Sequence, residues 1–361
     1  MEDLAVTTSI RPSTSFFEGK RVLVTGHTGF KGSWLVLWLH RLGAAVTGVG
    51  LPPNTKPDLF SLAGIEALCE SHIFDVRDSD AIDTLISQIQ PEVIFHLAAQ
   101  PLVRTSYRDP VETFSTNVMG TAHVLEAVRR IGQARVAVMI TTDKVYRSND
   151  GSRPFREDDP LGGHDPYSAS KAASEIVITG YRDAFLAERG VAVASARAGN
   201  VIGGGDWAED RLIPDAVRAW QEGRTLKIRR PDAIRPWQHV LEPLAGYLTL
   251  AEELWLRPEL AGAYNFGPGA DQAATVRDVV ETARECDGGG LVHYQNGCNG
   301  PHEAEWLALD TAKSVHTLGV HPRWTLAESI RSTMSWYREQ HEGKQARELC
   351  NAQIDDFEGP Q

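Results

Sequence analysis

Three short stretches carry residues whose types and spacing suit chemistry. The first is TTDKVY, residues 141–146, where Thr142, Asp143 and Lys144 follow the apolar run ARVAVMI. It sets a hydroxyl, a carboxyl and an amine side by side where a buried strand should stop. The second is YSASK, with Tyr167 and Lys171 four apart. On a helix that spacing puts both side chains on one face. A phenol is a poor base at neutral pH, but a neighbouring ammonium favours its phenolate. The third is VLVTGHTGFKG, with Gly26, Gly29 and Gly32 spaced GxxGxxG. Such glycines allow a tight turn, close approach to a pyrophosphate and close helix–strand packing. Each pattern also has an idle form: a polar turn, a solvated helix face, a loop without ligand. A phosphate cradle, a base pair of YxxxK type and a carboxyl–amine pair in one chain point instead to hydride and proton chemistry on a hydroxyl-bearing carbon.

Those residues need a frame that brings strand ends together. RVLVTG (21–26), AAVTGVG (44–50), EVIFHLAA (92–99), ARVAVMITT (134–142) and SARAGNVIG (195–203) read as strands. Between them, 32–43, 78–89 and 112–132 have helical length and stops. Apolar strands alternating with helices predict an α/β fold of Rossmann type, a doubly wound parallel sheet covered on both faces. A smaller C-terminal substrate-binding lobe is expected from the later Gly-, Pro- and Trp-rich pieces. The expected division is a loose leader at 1–18, a cofactor domain at 19–205 with about 239–266, a lobe at about 206–238 and 267–340, and a polar tail at 341–361.

The chain has 361 residues and a formal charge of −12, which speaks against nonspecific nucleic-acid binding. Its four cysteines, Cys69, Cys286, Cys298 and Cys350, form no CxxC pair, so no metal site is expected. No apolar run is long enough to span a bilayer, and a cytoplasmic, reducing setting is expected. The strand ending at Gly50 continues into Leu51, Pro52 and Pro53, without the acidic residue that commonly holds an adenosine ribose. No basic residue replaces it, so NAD is favoured over NADP. Asp75 in FDVRD is either the adenine-end contact or a helix cap.

With these motifs assembled, the sequence resembles an extended short-chain dehydrogenase/reductase acting on nucleotide sugars. The resemblance rests on TGxxGFxG at 25–32, FHLAAQ at 95–100, TTDK at 141–144, YxxxK at 167–171 and RAGNVIGGGD at 197–206. GHTGFKGSWL, GNVIGGGDWAEDRLIPD and RPWQHVLEPL are similar to the CDP-glucose 4,6-dehydratases. Related dTDP-glucose enzymes carry Asp-Glu where this chain has Asp143-Lys144.

The resemblance implies NAD held by Gly26, Thr28, Gly29, Phe30, Gly32, Asp75, Val76, Leu97, Ala98, Ala99, Tyr167 and Lys171. It implies CDP-glucose or a similar nucleotide hexose held by Gln100, Asn200 and Arg235. In the implied reaction Tyr167 takes the C4 hydroxyl proton, aligned by Thr142. Asp143, protonated, serves the C6 oxygen, and Lys144, neutral, takes the C5 proton. Lys144 must then shed a proton despite an ordinary pKa near 10.4. A homodimer, or higher homo-oligomer, is implied through helices near 112–131 and 168–187. A nucleotide-sugar 4-epimerase and a non-catalytic dinucleotide sensor are the alternatives. His27, Lys31, Trp237 and His239 stand near these motifs without an assigned role.

Overall fold

A computed structural model describes residues 12–131, 133–148, 153–269, 272–295 and 306–359. Six strands occur in the first part of the chain: β1 (Arg21–Thr25), β2 (Ala45–Gly50), β3 (Glu70–Ile73), β4 (Val93–His96), β5 (Val136–Ile140) and β6 (Ala192–Ala198). With Ala263–Phe266 they form one seven-stranded sheet, ordered Ala263–Phe266, β6, β5, β4, β1, β2, β3. Every pairing is parallel. Strand order reverses between β1 and β4, so the carboxyl ends of these strands open into a crevice.

The apolar runs explain the central strands. All residues of β4 and β5 are buried, as a sheet covered on both faces requires. Two strands were not legible. The edge strand β3 reads ESHI and is half exposed, so no apolar run marks it. Ala263–Phe266 follows a long helix, Leu241–Leu256, and is too short to stand out.

Helices cover both faces. Phe30–Arg41 follows β1 and is almost wholly buried from Gly32 to Leu39. Ser79–Ile89 begins at an Asp78 cap, whose carboxylate accepts from the Ala81 N–H at 3.0 Å. Pro110–Phe114, a π-turn at Ser115–Met119 and Gly120–Ile131 run on continuously. Pro166–Tyr181 carries Pro at its first turn and an Asp165 cap that accepts from the Ser168 N–H at 3.0 Å.

The chain ends differ from expectation. Of the leader, residues 1–11 lie outside the described residues, as does Cys298; Thr14–Phe17 is a helical turn with Phe17 fully buried. The expected tail at 341–361 is instead a helix, Ala346–Glu358. Its Leu349, Cys350, Ile354 and Phe357 recur at helical spacing and pack into the core, while charged residues face out. Trp38 donates to Glu358 at 2.8 Å, fastening this helix to Phe30–Arg41.

Candidate active site

The glycine loop joins β1 to the helix Phe30–Arg41. Gly26 has φ +75, and a Cβ there would lie 2.8 Å from the Ala98 nitrogen. A Cβ at Gly32 would lie 2.0 Å from the Gly26 carbonyl oxygen. Both positions therefore exclude any larger residue. Gly29 caps the helix without a side-chain hydrogen bond, which leaves first-turn N–H groups for an anion. This uncapped helix end at the crevice fits a dinucleotide pyrophosphate.

A cavity of about 1250 Å³ runs from this loop across the strand ends. Thr28, Phe30, Val76, Leu97, Ala98 and Ala99 line it. Asp75 lines it too, and Asp78 rather than Asp75 caps the next helix. Arg77 grips the Asp75 carboxylate through Nε at 2.9 Å and Nη2 at 2.6 Å, holding it below the usual carboxylate range.

The two unusual loop residues part ways. His27 is fully buried, with Nε2 2.7 Å from the Ser71 hydroxyl. Its ring fills the space over Gly48, where a Cβ would meet ring carbons at 2.4 Å. That packing explains Gly48 of TGVG. Lys31 instead lines the cavity, where burial pushes its amine down to about 7.

At the end of β5, Thr142 caps a short turn, Asp143–Val145. Asp143 is 2% exposed. Burial pushes its carboxyl up, against the opposing pull of Lys144. Its Oδ1 accepts from the Thr142 hydroxyl at 2.9 Å. Its Oδ2 is buried and has no hydrogen-bond partner among the described residues. Lys144 is half-buried and lines the same cavity.

Tyr167 and Lys171 project from Pro166–Tyr181 into this space. Burial raises the Tyr167 phenol to about 12, a rise that the Thr142 hydroxyl opposes. The Lys171 amine is pushed down to about 8 by burial and donates to the Ile140 carbonyl at 3.1 Å. That bond ties the helix to the end of β5.

One turn on, Glu175 is a site residue the sequence reading missed. Arg197 holds it through Nε at 2.9 Å and Nη2 at 2.8 Å, and Ser195 donates at 2.7 Å. Thr141 also donates to it. Glu175 thus anchors the helix to β5 and β6 and supplies negative charge near Lys171. Its position four residues after Lys171, on the same face, was the available signal.

The substrate residues divide. Asn200 and Arg235 line the cavity, and Arg235 is buried with Nη1 donating to the Ile234 carbonyl at 2.8 Å. Lys227, Arg229 and Arg230 extend the basic wall. Gln100 does not reach it. Its carboxamide donates to the Leu102 carbonyl (3.1 Å) and Thr113 hydroxyl (2.8 Å) and accepts from the Leu102 N–H (2.6 Å). The side chain shapes the turn after β4. Trp237 lines the cavity, whereas His239 is buried outside it, beside Trp34 and Trp324.

A parallel doubly wound sheet, an uncapped helix at its crevice and a buried Tyr–Lys pair define a dinucleotide-dependent enzyme of the extended short-chain dehydrogenase/reductase class. Residues 23–333 match the family described as GDP-mannose 4,6 dehydratase, and the chain belongs to that family. It is 46% identical over 349 residues to a CDP-glucose 4,6-dehydratase of Salmonella typhimurium, covering 95% of this chain and 97% of that protein. A dTDP-glucose 4,6-dehydratase of Streptomyces griseus is 30% identical over 329 residues, covering 88% and 93%. Among solved structures, a dTDP-glucose 4,6-dehydratase of Streptomyces venezuelae with NAD and TYD bound superposes with a TM-score of 0.76. It is 27% identical, covering 89% of this chain and 98% of that one.

Proposed function

We propose that this protein dehydrates CDP-D-glucose to CDP-4-dehydro-6-deoxy-D-glucose, with NAD as cofactor and one water released. One observation carries the reading. The Asp143 carboxyl and the Lys144 amine enter the same cavity as Tyr167 and Lys171. A 4-epimerase needs only the latter pair; elimination across C5 and C6 needs an added base and acid. The 46% identical relative adds the nucleotide.

Gly26, Gly29 and Gly32 hold the cofactor phosphates, with Thr28 and Phe30. Asp75 and Val76 flank its adenosine end, and Leu97, Ala98 and Ala99 pass beneath it. When bound there, NAD would supply the acceptor for the C4 hydride and its donor to C6. Tyr167 removes the C4 hydroxyl proton, while Thr142 aligns that hydroxyl. The resulting ketone acidifies C5, and Lys144 takes the C5 proton. Asp143, whose carboxyl burial pushes up, gives its proton to the departing C6 hydroxyl. Lys171 orients Tyr167 and favours its phenolate. Asn200 and Arg235 meet the substrate diphosphate, for which a guanidinium is suited.

In this reading residues 19–205 and about 239–266 carry the cofactor, and the lobe at about 206–238 and 267–340 carries the nucleotide sugar. The protein is a homodimer. Val111, Phe114 and Met119 on one helical run and Ile176 on Pro166–Tyr181 are exposed apolar residues on the two helices expected to pair. No helix among the described residues is long and apolar enough to cross a membrane. A cytoplasmic setting and a deoxysugar destined for a polysaccharide complete the proposal. Mass spectrometry with CDP-, dTDP- and GDP-glucose tests it: loss of one water from CDP-glucose alone is expected. A product of unchanged mass refutes it.

A further inference from the structure

TTDKVY carries one more polar side chain, to which the proposed reaction gives no part. Tyr146 lies two residues after Lys144 and is 5% exposed. Its phenol is turned into the protein. The hydroxyl donates to Asn265 Oδ1 at 2.6 Å and accepts from Arg197 Nη1 at 2.8 Å. Its ring stacks on Phe155, with centroids 4.8 Å apart and planes 2° from parallel. Both hydrogen-bond partners are themselves buried and fixed. Arg197, on β6, grips Glu175 through Nε and Nη2. Asn265 holds the Phe155 and Asp310 carbonyls at 2.9 and 3.1 Å.

The segment bearing Asp143 and Lys144 needs such a hold. Asp143–Val145 is a single 3₁₀ turn, and the Lys144 N–H reaches its Thr142 cap only at 3.4 Å. Beyond the turn, main-chain bonds run from Gly162 to the Val145 carbonyl and from Arg147 to the Pro160 carbonyl, both 2.8 Å. Those bonds reach only the segment at 160–162, whereas the Tyr146 phenol reaches the central sheet, at β6 and at Ala263–Phe266. Glu175, at the far end of this chain of contacts, lies four residues after Lys171 on Pro166–Tyr181. The Asp143–Lys144 pair and the Tyr167–Lys171 pair are therefore joined through one buried path: Tyr146, Arg197, Glu175.

We propose that Tyr146 is a positioning residue for the elimination: its phenol, held by Arg197 and Asn265, sets Asp143 and Lys144 against the sugar that Tyr167 and Lys171 help to oxidise. This rests on the proposed dehydration. Loss of the phenol oxygen frees the turn alone. Lys171 keeps its bond to the Ile140 carbonyl, and Glu175 keeps both bonds to Arg197. Hydride loss from C4 should then survive, while proton loss from C5 and departure of the C6 hydroxyl should slow. A catalytic group displaced by about 1 Å costs on the order of 100-fold in rate.

Tyr146→Phe keeps the stacked ring and deletes only the hydroxyl. With CDP-glucose and NAD, its kcat should fall on the order of 100-fold with KM little changed. Stopped-flow absorbance should show the nicotinamide reduced at the wild-type rate and then accumulating in reduced form, because the later steps lag. Asn265→Ala removes the acceptor without altering the tyrosine and should show the same lag. Tyr264→Phe deletes another buried phenol, one bonded to the Leu260 carbonyl at 2.7 Å, and is the control for lost stability. It should lower the melting temperature without a lag. Nicotinamide reduction and turnover that slow equally in Tyr146→Phe make the residue a general support and overturn the proposal, as does wild-type turnover. Should Tyr146→Phe fail to fold, a folded Asn265→Ala without the lag overturns it too. Wild-type enzyme that removes no water overturns the dehydration itself, so the two failures are told apart.

Discussion

Gly32→Ala is the sharpest perturbation of the cofactor site. The new Cβ would stand 2.0 Å from the Gly26 carbonyl oxygen and 2.8 Å from both the Gly26 carbonyl carbon and the His27 Cα. An unstrained contact needs roughly 3.5 Å, so the loop and the helix must part by about 1.5 Å. All three neighbours are backbone atoms, so no side chain can rotate aside. Overpacking of this kind costs about 1–3 kcal/mol, and this site belongs at the upper end. At roughly 2 °C per kcal/mol for a chain of this size, the melting temperature should fall by about 6 °C. Gly29→Ala is the control. Its Cβ meets the Gly26 oxygen at 3.4 Å, and φ is −80°, so the fold should lose under about 1 kcal/mol. Calorimetric titration should show NAD affinity falling at least about 100-fold in Gly32→Ala, or about 2.7 kcal/mol. Gly29→Ala should lose affinity while keeping the melting temperature. Equal melting temperatures for the two variants, or wild-type NAD affinity in Gly32→Ala, would refute the packing argument.

Two further expectations concern pH. Glu242 is buried, accepts from the Arg323 and Trp324 N–H groups at 2.9 and 2.7 Å, and is pushed by burial up to about 7. Its ordinary value is about 4.3, so the folded protein holds the extra proton between those limits and stability falls as pH rises through that window. Glu242→Gln should remove a slope of up to about 1.4 kcal/mol per pH unit there; parallel melting curves from pH 5 to 7 would contradict it. Lys31 is one of the cations that lower the Asp143 carboxyl. Lys31→Met should therefore raise the Asp143 pKa further, and because Asp143 acts protonated, the alkaline limb of kcat/KM should move to higher pH. An unmoved limb removes Lys31 from the electrostatics of the acid.

Much of this was written in the chain. VLV at 22–24, VIF at 93–95 and VAVMI at 136–140 mark strands because both faces of the sheet are covered, so these side chains are all apolar. The site was legible where chemistry demands fixed types and spacings, as at Thr142, Asp143, Tyr167 and Lys171. It was not legible where tertiary pairing decides. Gln100 follows β4 at the crevice, yet its carboxamide is consumed by its own turn. Asp75 and Asp78 look alike in FDVRD, and only the fold shows which one caps the helix. Glu175 shares a face with Lys171, but its weight comes from Arg197 and Ser195 on a distant strand. Ala346–Glu358 looked like a tail because its charge hides Leu349, Ile354 and Phe357, which matter only once a partner surface exists.

The most direct test of the central claim is the fate of a label. CDP-glucose carrying deuterium at C4 should yield a product that has lost one water and bears the deuterium at C6, with no net accumulation of NADH. Deuterium still at C4 in a product of unchanged mass would contradict the account. It would make the protein an epimerase and take Asp143 and Lys144 out of the chemistry.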